Sequence, residues 1–302
     1  MDNFLLVLAY LAIGLLLRTV PGVPKSTGIS LNAYVLYAAL PALVLNNASQ
    51  LQVSRELIAP ILTPWLLLAV VAAIVLLLGH LLHWPREVIG ALLIVLPLGN
   101  TSFLGYPMTE ALFGAGALPY AVVYDQAGSF IALVTYATVI AALYSPTASR
   151  PTARATLVKI ITFPSFVALL VGLQLRDTPY PALVQTLIDS LAATLVPVVM
   201  VAVGFALTIR FTRSELAPLG IALAIKLILM PALAALLWLG LGQQGVAVKV
   251  SIFQAAMPSM ISAGAIAIMA GLAPRLVSGV VGLGIVLSLA TVPTVFWLLE
   301  AI

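Results

Sequence analysis

Leu96-Pro97-Leu98-Gly99-Asn100-Thr101-Ser102-Phe103-Leu104-Gly105-Tyr106-Pro107 lies inside a long apolar segment, yet it carries two prolines, two glycines and three consecutive polar side chains. In a helix interior Gly costs roughly 1 kcal/mol and Pro roughly 3. Hydrocarbon offers no water to the backbone groups such residues free, so irregular backbone survives at membrane depth only where it lines a protein cavity. An interrupted helix there is a candidate binding site. Gln254-Ala255-Ala256-Met257-Pro258-Ser259-Met260-Ile261-Ser262-Ala263-Gly264 interrupts the second half of the chain in the same manner. A matched pair of breaks is the sequence pattern expected of the substrate site in a secondary transporter.

The rest of the composition fits a polytopic membrane protein. Of 302 residues 63% are hydrophobic and 7% charged, with a mean hydropathy of +1.21. Charged residues make up about 25% of a soluble chain. The net charge of +4 is no nucleic-acid footprint, because the basic residues sit in short loops between apolar runs and read as topology signals. With no cysteine, disulfides and thiolate metal sites are excluded. Met1-Asp2-Asn3 has neither a basic n-region nor a small-residue cleavage site after it, so the first apolar run is expected to be a spanning helix.

About 20 apolar residues per span give ten expected helices, near 4–20, 31–48, 60–82, 88–112 (interrupted), 118–143, 156–174, 182–208, 217–240, 246–270 (interrupted) and 275–299. Gly14-Leu15-Leu16-Leu17-Arg18-Thr19-Val20-Pro21 recurs as Gly172-Leu173-Gln174-Leu175-Arg176-Asp177-Thr178-Pro179, and Ser54-Arg55-Glu56-Leu57-Ile58-Ala59-Pro60 faces Thr212-Arg213-Ser214-Glu215-Leu216-Ala217-Pro218 at the same offset. Gly116-Ala117-Leu118-Pro119 matches Gly271-Leu272-Ala273-Pro274, which aligns the two interrupted helices as the fourth of each half. The fold class is therefore all-α, with residues 1–150 and 151–302 as two five-helix repeats. An odd helix number inverts the second repeat in the membrane. Loops after odd-numbered helices hold Arg18, Lys25, Arg86, Arg150, Arg154, Lys159, Arg210, Arg213 and Arg275, against Arg55, Arg176 and Lys249 on the other side. This bias puts the odd loops in the cytoplasm and both termini outside it.

Polar groups at membrane depth are the candidate functional residues, since each needs a reason to be there. At the first break these are Asn100, Thr101 and Ser102; Thr and Ser also serve simply to re-satisfy carbonyls freed by Pro107. At the second they are Gln254, Pro258 and Ser259. Asp125-Gln126, with Ser129 four residues on, places a carboxylate inside the fifth span, where a proton, a cation or a basic partner is expected. Lys226 lies mid-span with no acid at helical spacing, and Asp189 is a possible partner. Glu110 reads as interfacial. His80 and His83 have a metal-like spacing but no third ligand, so they read as interfacial anchors and no metal site is assigned. No Ser–His pair and no second carboxylate supports an intramembrane enzyme; a channel is the other alternative, because paired interrupted helices occur in channels as well.

Leu31-Asn32-Ala33-Tyr34-Val35-Leu36-Tyr37-Ala38-Ala39-Leu40-Pro41-Ala42-Leu43, Gly99 through Pro107, Tyr124-Asp125-Gln126 and Ala255-Ala256-Met257-Pro258 resemble the auxin efflux carrier family, which includes plant auxin exporters and bacterial permeases annotated for malate or malonate. The resemblance spans the chain, and the motif at the first break is its most specific part. It implies the fold of the bile acid/sodium symporters, in which helices one, two, six and seven form a scaffold and helices three to five and eight to ten form a moving transport domain around crossed helices four and nine. It implies secondary transport of a small organic anion, a carboxylate, by an elevator motion, in a bacterial inner (plasma) membrane. Two departures stand out. The long cytoplasmic loop of the plant exporters is missing. Gln254 also stands where the sodium symporters carry a Glu, which turns attention from sodium to a proton carried on Asp125. No cofactor is expected. The expected partners are membrane lipid, the anion and a second copy of the chain joined through the scaffold helices.

Overall fold

The computed structural model describes residues 2–49, 54–145, 152–175, 180–207 and 215–301. Arg150, Arg176, Arg210 and Arg213, and with them parts of the repeat matches and of the charge count, lie outside the described residues. The described chain is helical; its one β-type contact is an isolated antiparallel bridge between Gly99 and Ser259. Among the described residues six helices are long and apolar enough to cross a membrane: Thr27–Ser49, Arg55–Leu81, Ala115–Tyr144, Ala182–Ala206, Leu216–Gly240 and Pro274–Glu300. Shorter apolar helices include Phe4–Leu17, Pro164–Gln174 and Val246–Ala255. Large side chains such as Leu183, Met269 and Leu236 are more than two-thirds exposed, as befits surfaces whose solvent is lipid.

One expected span is divided. The run 156–174 forms Ala153–Thr162 and Pro164–Gln174, because Pro164 offers no N–H and pushes Phe163 out of the helical region, to φ −70° and ψ 123°. Pro164 then starts the second helix at a position where a missing N–H costs nothing. His83 also has a structural assignment: at φ +52° it closes Arg55–Leu81 with a left-handed cap, over which Trp84 N donates to Gly79 O at 2.9 Å.

Prolines shape three of the helices in a common way. Widened, π-type turns at Val35–Ala39, Thr101–Gly105 and Ile225–Leu229 are centred on Tyr37, Phe103 and Leu227. Each centre lies four residues before a proline: Pro41, Pro107 and Pro231. A proline ring collides with the carbonyl four residues back, and widening the turn moves that carbonyl aside without breaking the helix. A further π turn, Asp125–Ser129, has no proline of its own, but Gly128 packs on Pro64 so closely that a Cβ would meet its ring at 2.1 Å.

The described residues divide into two compact units. The first draws on Met1–Arg55, Ser102–Val122 and Val158–Leu207. In it Asp2–Leu17 packs on the second half of Ala182–Ala206, with Gly14 against the Val201 carbonyl and Gly204 against the Leu11 carbonyl. Arg18 Nη1 donates to Leu207 O at 2.5 Å beside this contact. Thr27–Ser49 packs on Pro164–Gln174 through Gly172, and Tyr34 OH lies 2.8 Å from Thr194 Oγ1.

The second unit draws on Glu56–Thr101, Val123–Leu157 and Thr208–Ile302. Trp65 Nε1 donates to Ala127 O at 3.0 Å, Trp238 Nε1 to Thr63 Oγ1 at 2.8 Å and Tyr136 OH to Leu93 O at 3.0 Å, so aromatic donors tie neighbouring spans together. At one end Arg86 lies 5.5 Å over the Tyr144 ring and donates to Leu143 O.

Gly204→Ala tests the first unit. The new Cβ would lie 2.1 Å from the Leu11 carbonyl oxygen, which is backbone and has no rotamer to yield. Overpacking of this kind costs about 1–3 kcal/mol, so the variant should show a lower unfolding temperature in detergent, whereas Gly116→Ala, with open space around it, should not.

Candidate functional site at the paired breaks

After Leu96 the chain leaves the helix until the π turn at Thr101, and after Met257 it does so until Ile261–Met269. The two interruptions satisfy each other. Asn100 N donates to Pro258 O at 2.7 Å, and Met260 N donates to Leu98 O at 2.9 Å, with Gly99 opposite Ser259. The two breaks matched in the sequence are thus joined by direct backbone bonds. Proline suits this register, because Pro258 contributes only its carbonyl to the pair. Bonds on either side of Gly99 and Ser259 make them a non-hydrogen-bonded pair, the position at which opposed residues come closest.

Around this pairing the structure gathers most of the polar residues singled out in the sequence. Asn100, Thr101, Gln254 and Ser259 are buried, and Ser102 is half-buried. Thr101 Oγ1 donates to Asp125 Oδ1, and Gln126 Nε2 donates to Asp125 Oδ2 at 2.7 Å. The carboxyl group of Asp125, 1% exposed, is thereby held on both oxygens. Ser129 is buried in the same π turn. Among the described residues Asn100 Nδ2, Gln126 Oε1 and Ser259 Oγ have no hydrogen-bond partner. A buried polar atom left unpaired costs about 1–3 kcal/mol, and several in one place mark a site rather than a packed core.

Two further acids have defined surroundings in the first unit. Asp189 Oδ1 accepts from Asn46 Nδ2 at 3.1 Å and from Gln185 Nε2 at 2.9 Å, so the acid considered for Lys226 is committed within the first unit. It lines a cavity of about 540 Å³ in that unit, together with Asn46, Asn47, Tyr10 and Glu110. Glu110, read from the sequence as interfacial, is half-buried in its wall. Lys226 Nζ ends near Gly99, where an added Cβ would lie 3.4 Å from it. Nothing in the sequence joins positions 99 and 226, or 101 and 125; the only signals were that Gly99 sits in a break and that the other three are polar at membrane depth.

Thr101→Val removes the hydroxyl that meets Asp125 at nearly constant volume. A hydrogen bond to a charged or buried carboxyl contributes about 1.5–3 kcal/mol. The variant should unfold at a lower temperature than the wild type, and Thr101→Ser should restore most of the loss. Equal midpoints for all three would remove this contact from the structural core of the site.

A profile of the membrane transport protein family matches residues 2–298. An uncharacterized transporter of Methanothermobacter thermautotrophicus is 26% identical over 301 residues, covering 97% of this chain and 96% of the relative. An uncharacterized transporter of Methanocaldococcus jannaschii is 26% identical over 269 residues, covering 86% of this chain and 85% of the relative. With apolar spans, two breaks joined at their midpoints and a match over nearly its whole length, the chain belongs to the membrane transport protein family, the auxin efflux carrier family that its motifs resemble, and is a membrane transporter rather than an enzyme.

Proposed function

We propose that the protein is a secondary active carrier of a small organic anion, a carboxylate. The observation that carries this reading is the pairing of Leu98–Asn100 with Pro258–Met260, which holds unpartnered buried polar atoms beside two helix breaks. Helix ends that start at a break present free N–H groups and the positive end of a dipole, which favours anionic groups. Asn100, Thr101, Ser102, Gln254, Pro258 and Ser259 form the substrate site in this reading. Gating is of the elevator type: helices three to five and eight to ten carry the site past a scaffold of helices one, two, six and seven, which also joins two copies of the chain. The overall plan is that of the bile acid/sodium symporters, with ten spans in two inverted repeats. The protein resides in the inner membrane with both termini outside the cytoplasm.

Asp125, with Gln126 and Ser129, is the coupling group, and the coupling ion is the proton rather than sodium. A proton on Asp125 removes one of two negative charges when the anion binds nearby, so the two ligands favour each other's binding.

Reconstitution into liposomes tests this directly. The wild type should take up labelled malate or a similar carboxylate saturably, show counterflow, and accumulate it on an imposed pH gradient. Asp125→Asn should retain counterflow and lose accumulation. Non-saturating flux without counterflow would identify a pore, and accumulation by Asp125→Asn would take the coupling away from this residue.

A further inference from the structure

Lys226 lies in the widened turn Ile225–Leu229 and is 1% exposed. Among the described residues the hydrogen-bond partner of its Nζ is the thioether of Met230, at 3.4 Å. A thioether is a weak acceptor, and an ammonium group out of water costs several kcal/mol unless an opposite charge meets it. The side chain has no short route to an aqueous boundary, because ten residues of helix, about 15 Å, separate it from Leu216 at the nearer end of its helix.

The amine ends instead at the paired breaks. A Cβ on Gly99 would lie 3.4 Å from Lys226 Nζ, 3.5 Å from Thr101 Cγ2 and 3.6 Å from Gln254 O. These are ordinary contact distances, so the missing side chain of Gly99 leaves a methyl-sized gap with an ammonium in its wall. Gly99 occupies the close, non-hydrogen-bonded position opposite Ser259, where a side chain would normally fill that space. Two further atoms of the same pairing, Asn100 Nδ2 and Ser259 Oγ, lack partners among the described residues. Both residues are almost wholly buried, at 2% and 0% exposed.

The geometry points to an anion-binding point at the Gly99 gap, where one oxygen of a carboxylate takes the Lys226 ammonium as its counter-ion and the Ser259 hydroxyl, from the residue paired with Gly99, supplies a neutral hydrogen bond. The inference rests on the anion-carrier reading and deepens it. A carboxylate oxygen is smaller than a methyl group and settles at about 2.7–2.9 Å from an ammonium nitrogen, so the gap has room for it to tighten. A neutral solute leaves the lysine uncompensated and a cationic one repels it, so the fixed charge selects for anions.

The test uses the full chain in detergent, with malonate, malate and succinate as N-methylglucamine salts and malonamide as the neutral control. Binding is followed by thermal shift, and access to the amine by reductive methylation of Lys226 read by mass spectrometry against Lys25, Lys159 and Lys249. At least one dicarboxylate should stabilise the wild type and slow methylation of Lys226 alone, and malonamide should do neither. Lys226→Met should raise the ligand-free midpoint, since it replaces a buried charge with an apolar chain of similar length, and should weaken dicarboxylate binding by about tenfold or more. Gly99→Ala fills the gap without a clash, so it should leave the ligand-free midpoint unchanged and weaken binding to a similar degree; Lys226→Arg should keep part of the affinity. If Lys226→Met does not fold, Gly99→Ala and the methylation pattern decide. Binding that persists undiminished in Lys226→Met and Gly99→Ala, with no protection of Lys226, overturns this inference and leaves the anion carrier standing. A wild type that no carboxylate stabilises or protects overturns both.

Discussion

Two backbone hydrogen bonds, Asn100 N to Pro258 O and Met260 N to Leu98 O, are the constraint on which the second unit depends. Each break alone would leave amide and carbonyl groups bare in hydrocarbon, where every unsatisfied group costs several kcal/mol. Together the breaks form the smallest possible antiparallel ladder. Neither can move without the other, so the atoms around them keep a fixed relation: the Thr101 hydroxyl one residue beyond the pair, the Asp125 carboxyl it bonds, and the Gln126 amide on that carboxyl's other oxygen. The candidate site is held in place by this pairing of its own backbone across the two breaks.

Around that fixed point the helices are shaped by proline in a softer way. Pro41, Pro107 and Pro231 each widen the preceding turn, and the widened turns at Thr101–Gly105 and Ile225–Leu229 are the ones that carry Thr101 and Lys226. A π turn adds a residue to the helix circumference and rotates the turns beyond it, which re-aims side chains without giving up the helix. Proline alone does not dictate the outcome: Pro64 and Pro293 sit inside regular α-helix.

This difference also marks how far the sequence could be read. The breaks were legible because Pro and Gly in an apolar run contradict the surrounding pattern, and the polar residues beside them were legible because hydrocarbon penalises them. The register of the pairing was not, since several residues in each break could carry the bonds on sequence grounds; what selects Gly99 opposite Ser259 is that only carbonyls are asked of Leu98 and Pro258. Lys226 and Asp189 were both visible as buried or mid-span charges, but pairing them by sign was misleading, because Asn46 and Gln185 already solvate the acid. Neutral amides leave no charge signature in a sequence. The division of 156–174 at Phe163 was readable from Pro164 alone.

The close contact of Asp2–Leu17 with the second half of Ala182–Ala206 has a consequence for how the chain is made. Arg18 reaches the Leu207 carbonyl across 189 residues, and Gly14 and Gly204 are shaped for a neighbour equally distant in sequence. At about 5–20 residues per second, the first helix leaves the ribosome roughly 10–40 s before the helix it packs against exists. During that interval a short segment, with the bare backbone of Gly14 on one face, must remain in the bilayer without its partner. Gly14, which allows the final contact, is therefore also the position at which a half-made chain is most open to the wrong neighbour, which gives the insertion machinery, rather than the finished fold, the first claim on that surface.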